Sequence, residues 1–175
     1  AVSGIKLPAG LKRSEKLAKP LITPSTKAER GKHDQPISAQ EIVDQEIVSP
    51  DIWREVEEKA IELYKFGAKK SLERGLILVD TKYEFAVAHA EHGANKLILA
   101  DEIHTLDSSR YWISESYADR FAKGEDPDML DKEFVRRELM SHGFMGEGPA
   151  PVLSDDFRVE TAHRYISAFE KITGT

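Results

Sequence analysis

Two β-rich runs in the middle of the chain carry charges at positions where a packed sheet tolerates few of them. The first, Leu76 to Phe85, reads Leu-Ile-Leu-Val-Asp-Thr-Lys-Tyr-Glu-Phe. The second begins at Lys96 and reads Lys-Leu-Ile-Leu-Ala-Asp-Glu-Ile-His-Thr-Leu-Asp-Ser-Ser-Arg, ending at Arg110. Successive side chains of a strand point to opposite faces, so one continuous strand sets Asp80, Lys82 and Glu84 on one face and Thr81, Tyr83 and Phe85 on the other. The turn residues Glu91-His92-Gly93-Ala94-Asn95 between the runs predict an antiparallel hairpin. A turn centred on His92 and Gly93 places Asp101 opposite Glu84. Like charges facing each other across a ladder are destabilising unless something neutralises them, and Mg²⁺ takes carboxylate oxygens of this kind. The pattern therefore predicts half of a metal-phosphate site. The alternative is an exposed strand with a ladder of ion pairs, each worth well under about 1 kcal/mol.

Composition narrows the classes of function. The 175 residues suffice for one domain with a real core, and 40% hydrophobic with 32% charged content is ordinary for a globular chain. A formal net charge of −6 disfavours a general nucleic-acid or membrane-surface binder, which needs a basic face. An anionic ligand must then be held by local cations. Without cysteine there is neither a disulfide framework nor thiol chemistry, and no apolar run approaches the roughly 20 residues of a membrane span. Residues 1–6 lack the charged start and apolar block of a signal peptide, and a cytoplasmic location is expected.

Along the chain, residues 1–37 hold Pro8, Pro20, Pro24 and Pro36 with scattered apolar positions, and should be an extended segment wrapped on other structure. Within it Thr23-Pro24-Ser25-Thr26-Lys27 and His33-Asp34 present hydroxyls, a cation and a carboxylate; by composition alone this is a solvated loop. Residues 38–175 should supply helices and the hairpin core of a single 1–175 domain. Ser38 and Glu41 form a capping-box pattern, opening a short helix to about Ile47. Ser49-Pro50-Asp51 opens the main packing helix, with Ile52, Val56, Ala60, Leu63 and Gly67 at helical spacing and a stop at Gly75. Further helices are expected over Asp131 to Met140 and after a Ser154 cap, the last with a core stripe of Val159, Ala162, Ile166, Phe169 and Ile172. The fold class is α+β, an antiparallel hairpin or sheet packed with helices. The histidines, His104 among them, lack metal-ligand spacing, and zinc is disfavoured. Asp107-Ser108-Ser109-Arg110 combines hydroxyls, amides and a guanidinium fork suited to a phosphate monoester, although Ser-Ser-Arg alone is usually a turn.

Three of these motifs, in order, carry a resemblance. Thr-Pro-Ser-Thr-Lys-Ala-Glu-Arg-Gly-Lys-His-Asp at Thr23 to Asp34, Leu-Val-Asp-Thr-Lys-Tyr-Glu-Phe, and Ala-Asp-Glu-Ile-His-Thr-Leu-Asp-Ser-Ser-Arg-Tyr-Trp resemble phosphoribosylaminoimidazole-succinocarboxamide synthase, the SAICAR synthetase family of purine biosynthesis. The resemblance runs from Val2 to the last helix and corresponds to the later part of the family's usual length, after a glycine-rich N-terminal nucleotide lobe. It implies the larger lobe of a two-lobed, kinase- or ATP-grasp-like fold. It also implies an ATP-dependent ligase that joins carboxyaminoimidazole ribotide to L-aspartate, with ATP and Mg²⁺. Carried over residue by residue, it gives Lys82 and Asp80 catalytic roles and assigns Lys27, Glu84 and Asp101 to the nucleotide, the two acids also to Mg²⁺. His33, Asp34, Asp107, Ser109 and Arg110 fall to the substrate side. Ala86 stands where the family usually has glycine, and Leu106 where it usually has proline. Two other readings stay open: a ribotide- or partner-binding domain of the same family without catalysis, and a different Mg²⁺-dependent phosphoryl transferase. A homo-oligomer is also left open.

Overall fold

The computed structural model describes residues 2–27, 34–88, 95–130 and 132–175. The chain forms two compact units, one of Ala1–Leu63 with Glu84–Ala100 and one of Tyr64–Tyr83 with Asp101–Thr175.

In the first unit the N-terminal segment is mostly irregular, with a bridge between Val2 and Ile5. Two short strands, β1 (Ser25–Thr26) and β2 (Gln35–Pro36), then pair antiparallel. Helix α1 (Ala39–Asp44) starts at the predicted capping box: Ser38 Oγ accepts from Glu41 N, and the Glu41 carboxylate returns to Ser38 N at 2.8 Å. These bonds lower the Glu41 pKa. The helix ends at Asp44 rather than near Ile47, and Ile37 and Ile42 are buried here. Helix α2 (Pro50–Leu72) follows a Ser49 cap, whose hydroxyl accepts from Ile52 N at 3.3 Å, and the unit boundary falls inside it.

The expected long strand is broken. β3 (Leu76–Thr81) and β4 (Glu84–Ala88) are separate strands, interrupted at Lys82 and Tyr83. The hairpin of the first unit is β4 with β5 (Lys96–Ala100), in continuous register from Glu84↔Ala100 to Ala88↔Lys96. Glu84 thus faces Ala100, and the expected pairing with Asp101 is off by one residue. Asp101 lies beyond the strand with φ of 63°, a left-handed conformation that ends the extended run. The turn assigned to His92 and Gly93 lies outside the described residues.

In the second unit β3 pairs antiparallel with β6 (Ser109–Ile113), from Leu76↔Ile113 to Leu78↔Tyr111 and then, after an irregularity between Leu78 and Asp80, Asp80↔Arg110 and Thr81↔Ser109. That irregularity is a β-bulge, and it changes which face Asp80 occupies. By parity Asp80 would lie with Leu76 and Leu78 on the core side. The extra residue instead moves it to the exposed side with Arg110 and sends Thr81 inward with Ser109. The Leu78 carbonyl at the bulge accepts from Tyr64 Oη at 2.9 Å. Leu76, Leu78 and Tyr111 form the core, with Tyr64, Ala68, Leu106, Ile113, Leu130 and Ile172 packed against them.

Three helices complete this unit: α3 (Ser114–Lys123), which the sequence pattern does not announce, α4 (Glu133–Ser141), and α5 (Asp155–Thr173). Ser154 caps α5 as expected, its hydroxyl accepting from Phe157 N at 3.2 Å. The stripe expected to bury α5 does not: Val159, Ile166 and Phe169 are exposed, and of that set Ile172 alone packs on the core. The inward face instead runs through Phe157, Thr161, Arg164, Ala168 and Ile172. Phe157 stacks on Phe134 of α4 at 4.7 Å, Arg164 lies over the same ring at 4.1 Å, and fully buried Ala168 permits close approach. Both stripes have helical period. The more apolar one loses because a small residue and an aromatic-stacked arginine fit the neighbours better. Among the described residues no helix is long and apolar enough to cross a membrane.

Candidate functional site

The structure gathers the sequence-predicted residues into two groups, one in each unit. In the first unit, Lys27 stands just after β1 and reaches Glu84 at the start of β4, forming an ion pair. The partners are unequal: the Lys27 side chain is 78% exposed and that of Glu84 19%. A carboxylate so covered is held by its cation, while the cation itself faces solvent. Asp34 is exposed beside β2, and His33 lies outside the described residues.

In the second unit, the bulge brings Asp80 and Arg110 face to face. Arg110 Nε donates to Asp80 Oδ1 at 2.8 Å and to Oδ2 at 3.1 Å, and Nη2 also donates to Oδ2, a fork-on-fork contact that fixes the guanidinium plane. Both side chains are about half exposed, so the pair itself adds little to stability. Its effect is geometric, since a planar donor array is held at the protein surface. Asp107 is exposed two positions before β6, its carbonyl accepting from Lys132 Nζ. Ser109 is placed differently. It is 3% exposed, and its hydroxyl donates to Thr81 Oγ1 at 2.9 Å, on the face opposite Arg110. Lys82 N donates to the Ser108 carbonyl at 2.8 Å, tying the break after β3 to the approach to β6.

Pattern reading passes over a third group, within the second unit. His104 has a left-handed backbone, φ 55°. Its Nε2 lies 2.6 Å from Tyr83 Oη, the two rings meet edge to face at 5.6 Å, and its carbonyl accepts from Tyr111 Oη at 2.7 Å. Burial lowers the His104 pKa and raises that of Tyr83. Tyr83 and His104 thus share a hydrogen bond between two groups whose charged forms burial disfavours. The ring lies against Gly67 of α2, where a Cβ would come within 2.5 Å of both Cε1 and Nε2. Glycine inside a helix costs about 0.5–1 kcal/mol relative to alanine. That cost was the available sequence signal, because a mid-helix glycine usually has a packing reason.

For Mg²⁺, the described residues contain no group of three or more His, Cys, Asp or Glu side chains able to hold a metal ion. This does not conflict with the cation, which is usually bound through one or two carboxylates plus substrate phosphates rather than by a protein cage.

Comparison with known proteins shows the family. A family model described as SAICAR synthetase matches residues 2–149. The chain belongs to the SAICAR synthetase family. It is 45% identical to the phosphoribosylaminoimidazole-succinocarboxamide synthase of Bacteroides thetaiotaomicron over 99% of its own length and 54% of that protein's. It is 44% identical to a putative phosphoribosylaminoimidazole-succinocarboxamide synthase 2 of Mesorhizobium japonicum over 98% of its length and 53% of that protein's. The fold matches the SAICAR synthase of Saccharomyces cerevisiae complexed with SAICAR, with a TM-score of 0.79 and 38% identity, over all of this chain and 53% of the yeast chain. The α+β class and the SAICAR synthetase fold are therefore those of the family. The chain spans about half the length of the curated relatives it matches.

Proposed function

We propose that the protein provides the larger lobe of an ATP-dependent ligase of purine biosynthesis that joins carboxyaminoimidazole ribotide to L-aspartate, giving SAICAR, ADP and phosphate. The observation that carries this reading is the Asp80–Arg110 fork, created by a bulge and presented at the surface in the motif that resembles the family's ribotide site. A relative 38% identical has been seen complexed with SAICAR.

The chemistry explains why these residue types are needed. A carboxylate is a poor acyl donor because it has no good leaving group, so the ribotide carboxylate first attacks the γ-phosphorus of ATP. The bond from that phosphorus to the bridging oxygen breaks, ADP leaves, and an acyl phosphate forms. The aspartate amine then attacks the acyl carbon, the C–O bond to phosphate breaks, and the amine proton passes to a base or to solvent. Such phosphoryl transfer depends on positioning and charge compensation more than on covalent help. Arg110, oriented by Asp80, binds the ribotide phosphate, with Asp107 and Asp34 on the same substrate side. His33 and Ser109 keep substrate-side roles by resemblance, Ser109 acting from beneath through its bond to Thr81. Lys82 offsets charge at the reacting carboxylate, with Asp80 as its catalytic partner, and Lys27 serves the nucleotide phosphates. By resemblance Glu84 and Asp101 are each assigned to Mg²⁺, which would supply charge neutralisation on the phosphates. All three substrates are small molecules, neither nucleic acid nor a membrane is a partner, and the reaction is cytoplasmic.

The test is direct. The purified protein is incubated with carboxyaminoimidazole ribotide, L-aspartate, ATP and Mg²⁺, and SAICAR formation is followed by mass spectrometry. Product formation supports the ligase. Ribotide binding without turnover favours the second reading, a ribotide-binding domain without catalysis. Neither binding nor turnover contradicts both.

A further inference from the structure

The His104 group is not explained by the ligase reading, because its ring is engaged by Tyr83 and the Gly67 slot rather than by the Asp80–Arg110 fork. It sits midway along the 101–108 segment, between Asp101 and Asp107. The segment contains two residues outside glycine with left-handed backbones, Asp101 at φ 63° and His104 at φ 55°. Neither conformation is intrinsically favoured, so the surrounding contacts must hold them. Three contacts converge on His104: the Gly67 slot on α2, the Tyr83 hydroxyl on the ring, and the Tyr111 hydroxyl on the carbonyl. The remainder of the segment is closed locally. Thr105 N donates to Ser108 Oγ and Ser108 N to Thr105 Oγ1, each at 3.2 Å, and the Ser108 carbonyl accepts from Lys82 N. With the middle and the end both fixed, the direction in which Asp107 and Arg110 leave the segment is fixed as well.

We propose that His104 is a positioning residue of the ribotide subsite: its ring, keyed into the Gly67 slot and bonded to Tyr83, sets the 101–108 segment so that Asp107 and Arg110 are presented together. This rests on the ligase reading for the identity of the ligand. It adds that specificity for the ribotide depends on a contact with no atom near the substrate. Misplacement by about 1 Å in such a supporting contact can cost on the order of a hundredfold in rate or affinity.

The slot makes the idea testable by a double-mutant cycle, because Gly67→Ala and His104→Ala perturb the same space. Calorimetric titration with SAICAR and, separately, with ATP is combined with amide hydrogen exchange over residues 101–108. Gly67→Ala alone should weaken SAICAR binding at least about tenfold by expelling the ring, and change ATP binding by less than about twofold. His104→Ala should do the same, and the double variant should be no worse than His104→Ala alone. His104→Gln keeps an acceptor for Tyr83 and should recover most of the affinity. Exchange at Thr105 to Ser108 should accelerate in the two single variants. Unchanged exchange in His104→Ala overturns the proposal whatever the ligand data show. Faster exchange with unchanged SAICAR affinity, or with equal losses for SAICAR and ATP, also overturns it by reducing His104 to a stability contact. The unsubstituted protein is titrated first. If it binds no SAICAR under these conditions, the ligase reading fails and the subsite role fails with it, whereas failure confined to the variants condemns the positioning role alone.

Discussion

The β3–β6 pair and the β4–β5 hairpin draw their first strands from one continuous stretch, Leu76 to Ala88, yet they differ in regularity and in what they cover. β4–β5 keeps continuous register over five pairs, and its Ile98 and Leu99 are exposed. β3–β6 carries a bulge, buries Leu76, Leu78 and Tyr111, and holds its acid–base pair on the far side. The regular hairpin leaves Glu84 neutralised by a lysine that comes from a distant segment, just after β1. The bulged pair makes its own partnership by turning Asp80 outward to Arg110. A surface fork can thus be built directly over a core, provided that one residue is inserted to change parity.

The sharpest way to break that comparison is to give the extra residue a partner. Inserting one alanine between Arg110 and Tyr111 pairs Val79, should restore uniform parity with Val79 in place, and drives Asp80 with Arg110 onto the face of Leu78 and Tyr111, where burying the charges costs on the order of several kcal/mol. Loss of cooperative thermal unfolding and of the near-ultraviolet aromatic signal is expected. An insertion variant that melts like the parent would mean that the bulge does not set the position of Asp80.

A smaller contrast compares the two strand pairs by core truncation. Leu78→Ala should cost about 2–5 kcal/mol in denaturant unfolding, the usual range for a buried leucine. Leu99→Ala, on the exposed hairpin, should stay within about 1 kcal/mol. Equal losses would erase the distinction between a core-bearing pair and an open one.

The smallest effect concerns pH and belongs to the bulged side alone. Burial lowers the His104 pKa from the ordinary 6.5. As pH falls through about 6.5 the unfolded chain takes up a proton that the folded chain refuses, so stability declines, and the decline levels off below the folded-state value. The facing groups are the hydroxyl of Tyr83 and the backbone of Gly67, neither of which offers a countercharge. Melting temperature should therefore fall more in the parent than in His104→Gln between about pH 7.5 and 5.5. Parallel profiles would place the titration elsewhere.

These regions also differ in how far the sequence reveals them. Local signals hold: the Ser38–Glu41 box and the Ser49 and Ser154 caps each engage the amide expected of them. The break at Lys82 and Tyr83 and the bulge were not legible, because both arise from pairing β3 with a strand about 30 residues on, and a two-residue period contains no information about an inserted residue. The buried face of α5 was missed for a related reason. Two stripes share the helical period, and the choice between them depends on Phe134, which belongs to another helix. Asp80 and Arg110 came from motif resemblance rather than from geometry. The structure then supplies the contact between them.

In the proposed ligase Arg110 and its Asp80 partner hold the ribotide while Lys27 and Glu84 serve the nucleotide. Isothermal titration of the parent, Arg110→Lys and Glu84→Gln with SAICAR and with Mg·ATP tests it most directly. Lysine keeps the charge but loses the planar fork, so Arg110→Lys should weaken SAICAR by roughly tenfold to a hundredfold, corresponding to about 1.5–3 kcal/mol, and leave ATP nearly unchanged. Glu84→Gln should show the opposite pattern, weakening Mg·ATP first. If Arg110→Lys impairs ATP alone, or leaves SAICAR binding intact, the assignment of the two subsites is wrong.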